Sequence, residues 1–174
     1  MQKRPNILFI MADQFRTATL TGMGDGIETP NIDRLRAVSM FFPQAACTSP
    51  LCTPSRASLA TGKMPHRCGV HVHDADLPLD EITYYQRLVK AGYRTAVFGK
   101  TDLHKKTRWL GKNGDLPVIH HLGFTTPFET EGKMNSGLLF PDENGTPRLL
   151  GPYQNHLARN NPDGLHQLNQ TYLQ

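Results

Sequence analysis

The sequence predicts an α/β fold, a mostly parallel sheet flanked by helices, on two observations. An apolar run at residues 6–12 has the composition of a strand buried on both faces, which requires helices on both sides of its sheet. Farther along, a helical pattern between Asp80 and Gly92 is followed at once by a strand-like segment at residues 93–98, and this alternation is typical of parallel sheets. With 174 residues, of which 38% are hydrophobic, the chain is long enough for one domain with its own core.

The first two predicted elements are a strand and a helix. The strand is expected at residues 6–12, where branched and aromatic side chains fill a run bounded by Pro5 and Asp13. The helix is expected to have Thr29 as its N-cap and Pro30 at its first position, where a missing backbone donor does no harm. Its inner face is expected to carry Ile32, Leu35 and Val38.

The next elements continue the alternation. Residues 54–61 predict a helix of small residues. Asp80 is expected to cap another helix, which Gly92 ends in the left-handed conformation that favours glycine. The apolar stripe of that helix consists of Ile82, Tyr85, Leu88 and Val89. The strand at residues 93–98 follows and ends at Gly99.

The pattern loosens from about residue 105. Residues 107–118 and 129–164 are rich in glycine, proline, asparagine and charged positions, which favours loops. We therefore expect residues 1–174 to be the N-terminal portion of a longer domain, with residues 126–174 loop-rich and truncated.

Composition argues against several classes of partner. The chain has 19 basic and 15 acidic side chains, and the basic ones are scattered, so no nucleic-acid partner is expected. The N-terminal apolar run is too short for a secretory signal, and no stretch approaches the length of a membrane span, so no membrane partner is expected. Three cysteines at these spacings match neither a zinc site nor a disulfide framework, which favours a reducing, cytoplasmic location.

Polar side chains follow two of the predicted strands directly. Asp13 and Gln14 follow the first strand, and Lys100 follows the later one. Because the carboxyl ends of parallel strands meet at one edge of a sheet, we expect these side chains to face the same edge. Cys52 comes just before Pro54 at the start of a predicted helix, where backbone donors and the helix dipole favour an anion.

The chemistry of these residues suits a tetrahedral anion. Asp13 offers a hard oxygen ligand for a divalent cation, and Arg56 and Lys100 supply fixed positive charge. His104 can donate or accept a proton near neutral pH.

Five motifs in this order resemble the N-terminal part of the sulfatases, a family of the alkaline-phosphatase-like superfamily. They are RPNILFIMADQ, TPNIDRL, CTPSRASLATG, PHRCGV and AGYRTAVFGK, and the resemblance covers residues 4–125. It implies an alkaline-phosphatase-like fold, of which this chain holds the N-terminal part. Since members of the family are several times longer, it also implies the missing C-terminal portion of the domain as a partner.

The resemblance also implies roles for individual residues. Cys52 would be oxidised to formylglycine by the formylglycine-generating enzyme, and Arg56 would steady the resulting hydrated aldehyde. Asp13, the carbonyl oxygen of Gln14 and position 52 would bind Ca²⁺ or Mg²⁺. Lys100 would contact the sulfate, and His104 is matched to the catalytic histidine of a Lys-x-His pair that is stretched here.

The implied reaction is the hydrolysis of a small sulfated substrate, in which a hydroxyl at position 52 attacks sulfur and a second hydroxyl then releases sulfate. Two alternatives stay open. The first alternative is a phosphonate or phosphate ester hydrolase of the same superfamily. Asp13-Gln14 stands where many sulfatases have two aspartates, and this variant is associated with phosphonate monoester hydrolases and choline-sulfatase-like enzymes. The other is a non-catalytic, truncated fragment that binds anions.

The remaining histidines and cysteines receive no catalytic role. His66, His71 and His73 are interpreted as lying outside the catalytic centre, although His71 and His73 are spaced to share one side of an extended segment. Cys47 and Cys68 are interpreted as unreactive thiols.

Overall fold

The computed structural model describes residues 4–105, 117–130, 140–141 and 147–148 and positions 153, 156, 159 and 160. The chain divides into two compact units, Met1–Ala46 and Cys47–Gln174. Most of the segment predicted to form loops beyond residue 105 lies outside the described residues. Among the helices described, none combines the length and the apolar character that crossing a bilayer requires.

The first unit contains a short 3₁₀ helix at Thr17–Thr19 and helix α1 at Pro30–Ala37. The predicted helix start is confirmed, with Thr29 as N-cap and Pro30 at the first position. The predicted inner face is wrong, because its three apolar side chains (Ile32, Leu35 and Val38) are exposed. Leu20 is the single buried residue in the described part of this unit, so the unit offers that face no apolar surface to cover it.

The predicted strand at residues 6–12 is wrong. These residues adopt no regular secondary structure, and their apolar side chains are open to solvent, with Leu8 84% and Ile10 80% exposed. A strand needs a neighbour to pair its backbone donors and acceptors, and the described residues of the first unit, 4–46, contain no strand. Apolar composition alone therefore does not produce a strand here.

The second unit carries the sheet. Its elements are helices α2 (Cys52–Thr61), α3 (Tyr84–Lys90) and α4 (Pro117–His121), and strands β1 (Ala96–Gly99), β2 (Thr126–Glu129), β3 (Phe140–Pro141) and β4 (Pro147–Arg148). Strands β1 and β2 pair in parallel, from Ala96 opposite Thr126 to Gly99 opposite Glu129, with α4 between them in the chain. Strands β3 and β4 pair antiparallel. The parallel pair with intervening helices agrees with the predicted α/β class.

Helix α3 begins later than predicted. Its N-cap is Thr83, not Asp80, because Thr83 and Gln86 form a capping box. The Thr83 Oγ1 accepts from the Gln86 backbone N–H at 3.2 Å, and the Gln86 side chain accepts from the Thr83 backbone N–H at 2.9 Å. Two backbone donors of the first turn are thus satisfied reciprocally. Gly92 does adopt the predicted left-handed conformation, with φ of 86°.

The core of the second unit joins α2, α4 and the loops around them. Its buried members are Ala57, Ala60, Cys68, Val70, Leu77, Leu103, Ile119, Leu122 and Phe124. Gly123 permits a very close approach within this region, because an added Cβ would lie 2.4 Å from the backbone nitrogen of Gln86. The start of α3 and the end of α4 therefore meet backbone to backbone, and the Thr83 hydroxyl donates to the Leu122 carbonyl at 2.6 Å.

Candidate active site

Cys52 occupies the first residue of α2. The helix begins two residues earlier than predicted, after Leu51 in an extended conformation, so Cys52 lies inside the first turn. Leu51 provides no side-chain cap, which leaves amide groups of this turn available to an anion. Pro54 removes no needed donor, because the first-turn amides have no partner within the helix. The Cys52 side chain is half-buried at this anion-favouring end.

Arg56 connects α2 to the segment that follows β1. Its side chain is buried, with 7% of the residue exposed, and Nη1 donates to the Lys100 carbonyl oxygen at 2.6 Å. Removing a guanidinium from water is unfavourable unless it is hydrogen-bonded. This bond therefore fixes the backbone at Lys100 relative to the helix that begins with Cys52.

The segment after β1 carries a tight arrangement of charge. Lys100 follows β1 directly, and its Nζ forms an ion pair with Asp102 Oδ2 at 3.0 Å. Asp102 has a left-handed backbone with φ of 56°, which a non-glycine residue adopts only when its surroundings hold it there. The turn folds the Asp102 carboxylate back towards the Lys100 ammonium group.

Asp76 holds the far end of the same segment. Its Oδ1 accepts a hydrogen bond from the Lys105 backbone N–H at 2.7 Å, and its Oδ2 lies 3.6 Å from His104 Nε2. His104 is therefore placed beside the Asp76 carboxylate.

Lys105 is a residue of this region that the sequence interpretation missed. Its Nζ donates to Thr53 Oγ1 at 2.7 Å and to the His73 carbonyl at 2.8 Å, and it lies 3.6 Å from Asp102 Oδ1. One ammonium group thus joins α2, the loop at residue 73 and the segment after β1. No local motif signals this role, because two of its partners lie 32 and 52 positions away.

Glu129, at the end of β2, was also missed. The Thr101 backbone N–H donates to its Oε1 at 3.1 Å and the Thr101 hydroxyl donates to the same oxygen, while Oε2 is buried without a hydrogen-bond partner among the described residues. Burial raises the pKa of the Glu129 carboxyl from 4.5 to about 7, the Asp102 charge adds to the rise, and the bonds from Thr101 oppose it. Through its hydrogen bonds with Thr101, the Glu129 carboxyl holds the segment that carries Lys100 in place.

The structure brings His73 next to Cys52, which corrects the interpretation of His73 as remote from the centre. Cys52, His73 and Asp102 each offer one metal-binding atom, and these atoms all lie within 4.8 Å of one another. The partners come from α2 and from the segment after β1.

The two predicted oxygen ligands lie in the first unit. Asp13 and Gln14 form a turn, and Gln14 has a left-handed backbone with φ of 56°. The other predicted site residues (Cys52, Arg56, Lys100 and His104) all lie in the second unit. That both groups act in one metal site stays a prediction.

Comparison with known proteins identifies the family. The sequence matches the family model described as Sulfatase over residues 5–146, well over half of the chain. The chain belongs to the sulfatase family. It is 38% identical over 112 residues to an ulvan-active sulfatase of Formosa agariphila, a match that covers 63% of this chain and 22% of that relative. The sulfatase chain thus spans well under half the length of the curated relatives it matches.

Solved structures give the same fold. A structure in complex with its substrate D-glucosamine-2-N,6-O-disulfate is 36% identical, with a TM-score of 0.56, and the match covers 61% of this chain and 22% of that one. A phosphonate monoester hydrolase from Silicibacter pomeroyi has a TM-score of 0.50 at 22% identity, covering 94% of this chain and 39% of that one. The latter likeness concerns the fold alone. The predicted family and the predicted alkaline-phosphatase-like α/β class are both confirmed.

Proposed function

We propose that the protein containing this chain hydrolyses sulfate esters of small molecules with position 52 as the nucleophile, after the formylglycine-generating enzyme has converted Cys52 to formylglycine. The observation that carries the proposal is the position of Cys52 in the first turn of α2, with the Lys100–Asp102 ion pair beside it, in a chain of the sulfatase family. A thiol at this position has a sulfur where the reaction requires an oxygen nucleophile. Formylglycine, once formed, supplies that oxygen as a hydrated aldehyde.

The residues of the second unit then bind and orient the ester. The open amides at the start of α2 and the Lys100 ammonium group attract the sulfate oxygens. Arg56 acts on Lys100 through its 2.6 Å hydrogen bond to the Lys100 carbonyl, which holds the backbone that carries that ammonium group beside α2. His104, beside Asp76, can hold a proton at Nε2 for the leaving alcohol.

A divalent cation belongs to the same proposal. The carboxylate of Asp13 and the side-chain carbonyl of Gln14 are hard oxygen donors, which suit Ca²⁺ or Mg²⁺. The sulfur of Cys52 does not suit these cations, whereas an oxygen at position 52 does, so the donor set fits only after conversion. When bound, the cation supplies positive charge that stabilises the developing negative charge on the sulfate oxygens.

The test starts with the modification. The protein is co-expressed with a formylglycine-generating enzyme, and peptide mass spectrometry is used to look for replacement of the CH₂SH group by an aldehyde at Cys52. Cys47, which is exposed, is the internal control and should keep its thiol. An unmodified thiol at position 52 would contradict the assignment of the nucleophile.

Activity is then compared on a sulfate ester and a phosphonate ester with the same leaving group. We expect the modified protein to turn over the sulfate ester and Cys52→Ala to lose that activity, whereas Cys47→Ala keeps it. Faster turnover of the phosphonate ester would favour the second candidate, a phosphonate hydrolase, which the Asp13-Gln14 pair motivates. Modification without turnover of either ester would favour the anion-binding fragment.

A further inference from the structure

We propose that the unconverted protein binds a thiophilic divalent cation of the zinc class through Cys52, His73 and Asp102. The ligand atoms of these three residues lie within 4.8 Å of one another. Ligand atoms around a tetrahedral zinc ion are roughly 3.5 Å apart, so the cluster needs only side-chain adjustments to close on a cation. Sulfur, nitrogen and oxygen donors together are typical of sites that prefer zinc to calcium.

The charges of the three ligands suit a dication. A thiolate and a carboxylate contribute two negative charges, and a neutral imidazole adds none. The His73 ring nitrogens lie 3.2 and 3.3 Å from the Lys105 Nζ. Because an ammonium group only donates, a ring nitrogen bonded to it presents its lone pair, which is also the form that binds a metal.

A second observation points to the same site. Asp102 has 10% of its side chain exposed, and its buried Oδ2 accepts no hydrogen bond among the described residues. The Lys100 Nζ lies 3.0 Å from this oxygen as an ion pair, but without hydrogen-bond geometry. Buried carboxylate oxygens are normally saturated with hydrogen bonds, so Oδ2 of this cluster residue keeps acceptor capacity that a cation can use.

Lys105 lowers the affinity of this site for a cation. Lys105 lies 3.6 Å from Asp102 Oδ1 and also contacts the His73 ring, so it competes with a cation for two of the three ligands. Removing the Lys105 charge should therefore tighten metal binding. A site built for anions would respond in the opposite direction, because it would lose a positive charge.

The metal that position 52 selects depends on the proposed conversion of Cys52 to formylglycine. Replacing the thiol by an aldehyde removes the sulfur ligand, so the zinc-class site exists before conversion and is lost after it. Position 52 would thus select a soft cation as cysteine and a hard one as formylglycine. A bound zinc ion would also shield the thiol from oxidation until the modifying enzyme reaches it.

The test is a Co²⁺ titration of the purified, unconverted chain, because cobalt reports its ligands through absorption. We expect a thiolate-to-cobalt charge-transfer band in the near ultraviolet, which excess Zn²⁺ abolishes. Cys52→Ser should remove the band and lower the affinity by roughly 100-fold, whereas Cys47→Ser should change neither. His73→Ala and Asp102→Asn should weaken binding, and His71→Ala is the matched control for the histidine.

The Lys105→Met variant distinguishes a cation-binding site from an anion-binding site. We expect Co²⁺ binding to tighten by roughly 5- to 10-fold in this variant. The proposal is wrong if the wild-type chain shows no charge-transfer band, if Cys52→Ser keeps it, or if Lys105→Met weakens binding. Circular dichroism of each variant confirms that the fold is retained. Since the titration uses no sulfate ester and no modifying enzyme, its failure would leave the proposed hydrolysis untouched.

Discussion

The two units of this chain differ in whether they form a buried apolar core. In the second unit, Leu77, Val70 and Leu103 are completely or almost completely buried. In the first unit the run from Ile7 to Met11 is exposed, and Leu20 is the one buried residue among those described. Both sets of residues are apolar, so the difference lies in what each unit provides to cover them. An apolar sequence makes burial favourable, but contacts with distant residues decide whether burial occurs.

The sharpest test of this contrast is a pair of leucine truncations. Leu77→Ala should lower the free energy of unfolding by roughly 3 kcal/mol, because it leaves a cavity in the core of the second unit. Leu8→Ala should change it by less than about 0.5 kcal/mol, because Leu8 is 84% exposed. Urea denaturation followed by circular dichroism measures both. Equal losses would show that the apolar run of the first unit is buried in solution.

The second test concerns the buried carboxyl of the second unit. The pKa of Glu129 is raised to about 7 in the folded chain, so its folded form keeps a proton that the unfolded chain loses near pH 4.5. The stabilisation is therefore complete below pH 4.5 and is lost as the pH rises to 7, by roughly 3 kcal/mol. Glu129→Gln should flatten this dependence in urea denaturation across that range.

The matching control for the carboxyl comes from the first unit. Glu28 is exposed, and Glu28→Gln should leave the pH dependence of unfolding as it is in the wild-type chain. A profile that stays steep in Glu129→Gln would mean that another group carries the dependence.

The smallest expected effect compares two threonine N-caps. Thr83→Ala should lower the stability by roughly 1 to 2 kcal/mol, because it breaks the capping box of α3. Thr29 caps α1 in the first unit but makes no side-chain cap bond. Its hydroxyl accepts from the Thr21 backbone N–H at an exposed position, so Thr29→Ala should cost less than about 1 kcal/mol. Thermal unfolding of the two variants side by side measures the difference, and a larger loss in Thr29→Ala would reverse the comparison.

Local signals in the sequence predicted the elements that depend on neighbouring residues. The Thr29-Pro30 helix start and the left-handed Gly92 are found where expected, because capping and backbone preference act over a few positions. The N-cap of α3 was predicted at Asp80 but lies at Thr83. The Thr83 hydroxyl donates to the Leu122 carbonyl, 39 positions away, and no local signal reveals this contact.

The candidate site was predictable in part. The motif around Cys52 and the strand-end position of Lys100 predicted candidate site residues, since both are read from adjacent positions, and their roles stay a prediction. Lys105 and Glu129 carry no such signal, because each acts through partners brought together by the fold. His73 was misjudged for the same reason. Sequence reasoning thus names residues within motifs and misses those that connect separate segments.

Gly123 is a position of the second unit where no larger residue fits. Its backbone, at φ of 105°, touches the start of α3 so closely that even a methyl group would have to displace main-chain atoms. The turn before β2 and the cap of α3 are consequently locked in register, and a shift of one would be transmitted to the other. Neighbouring residues can change during evolution, but position 123 must remain glycine.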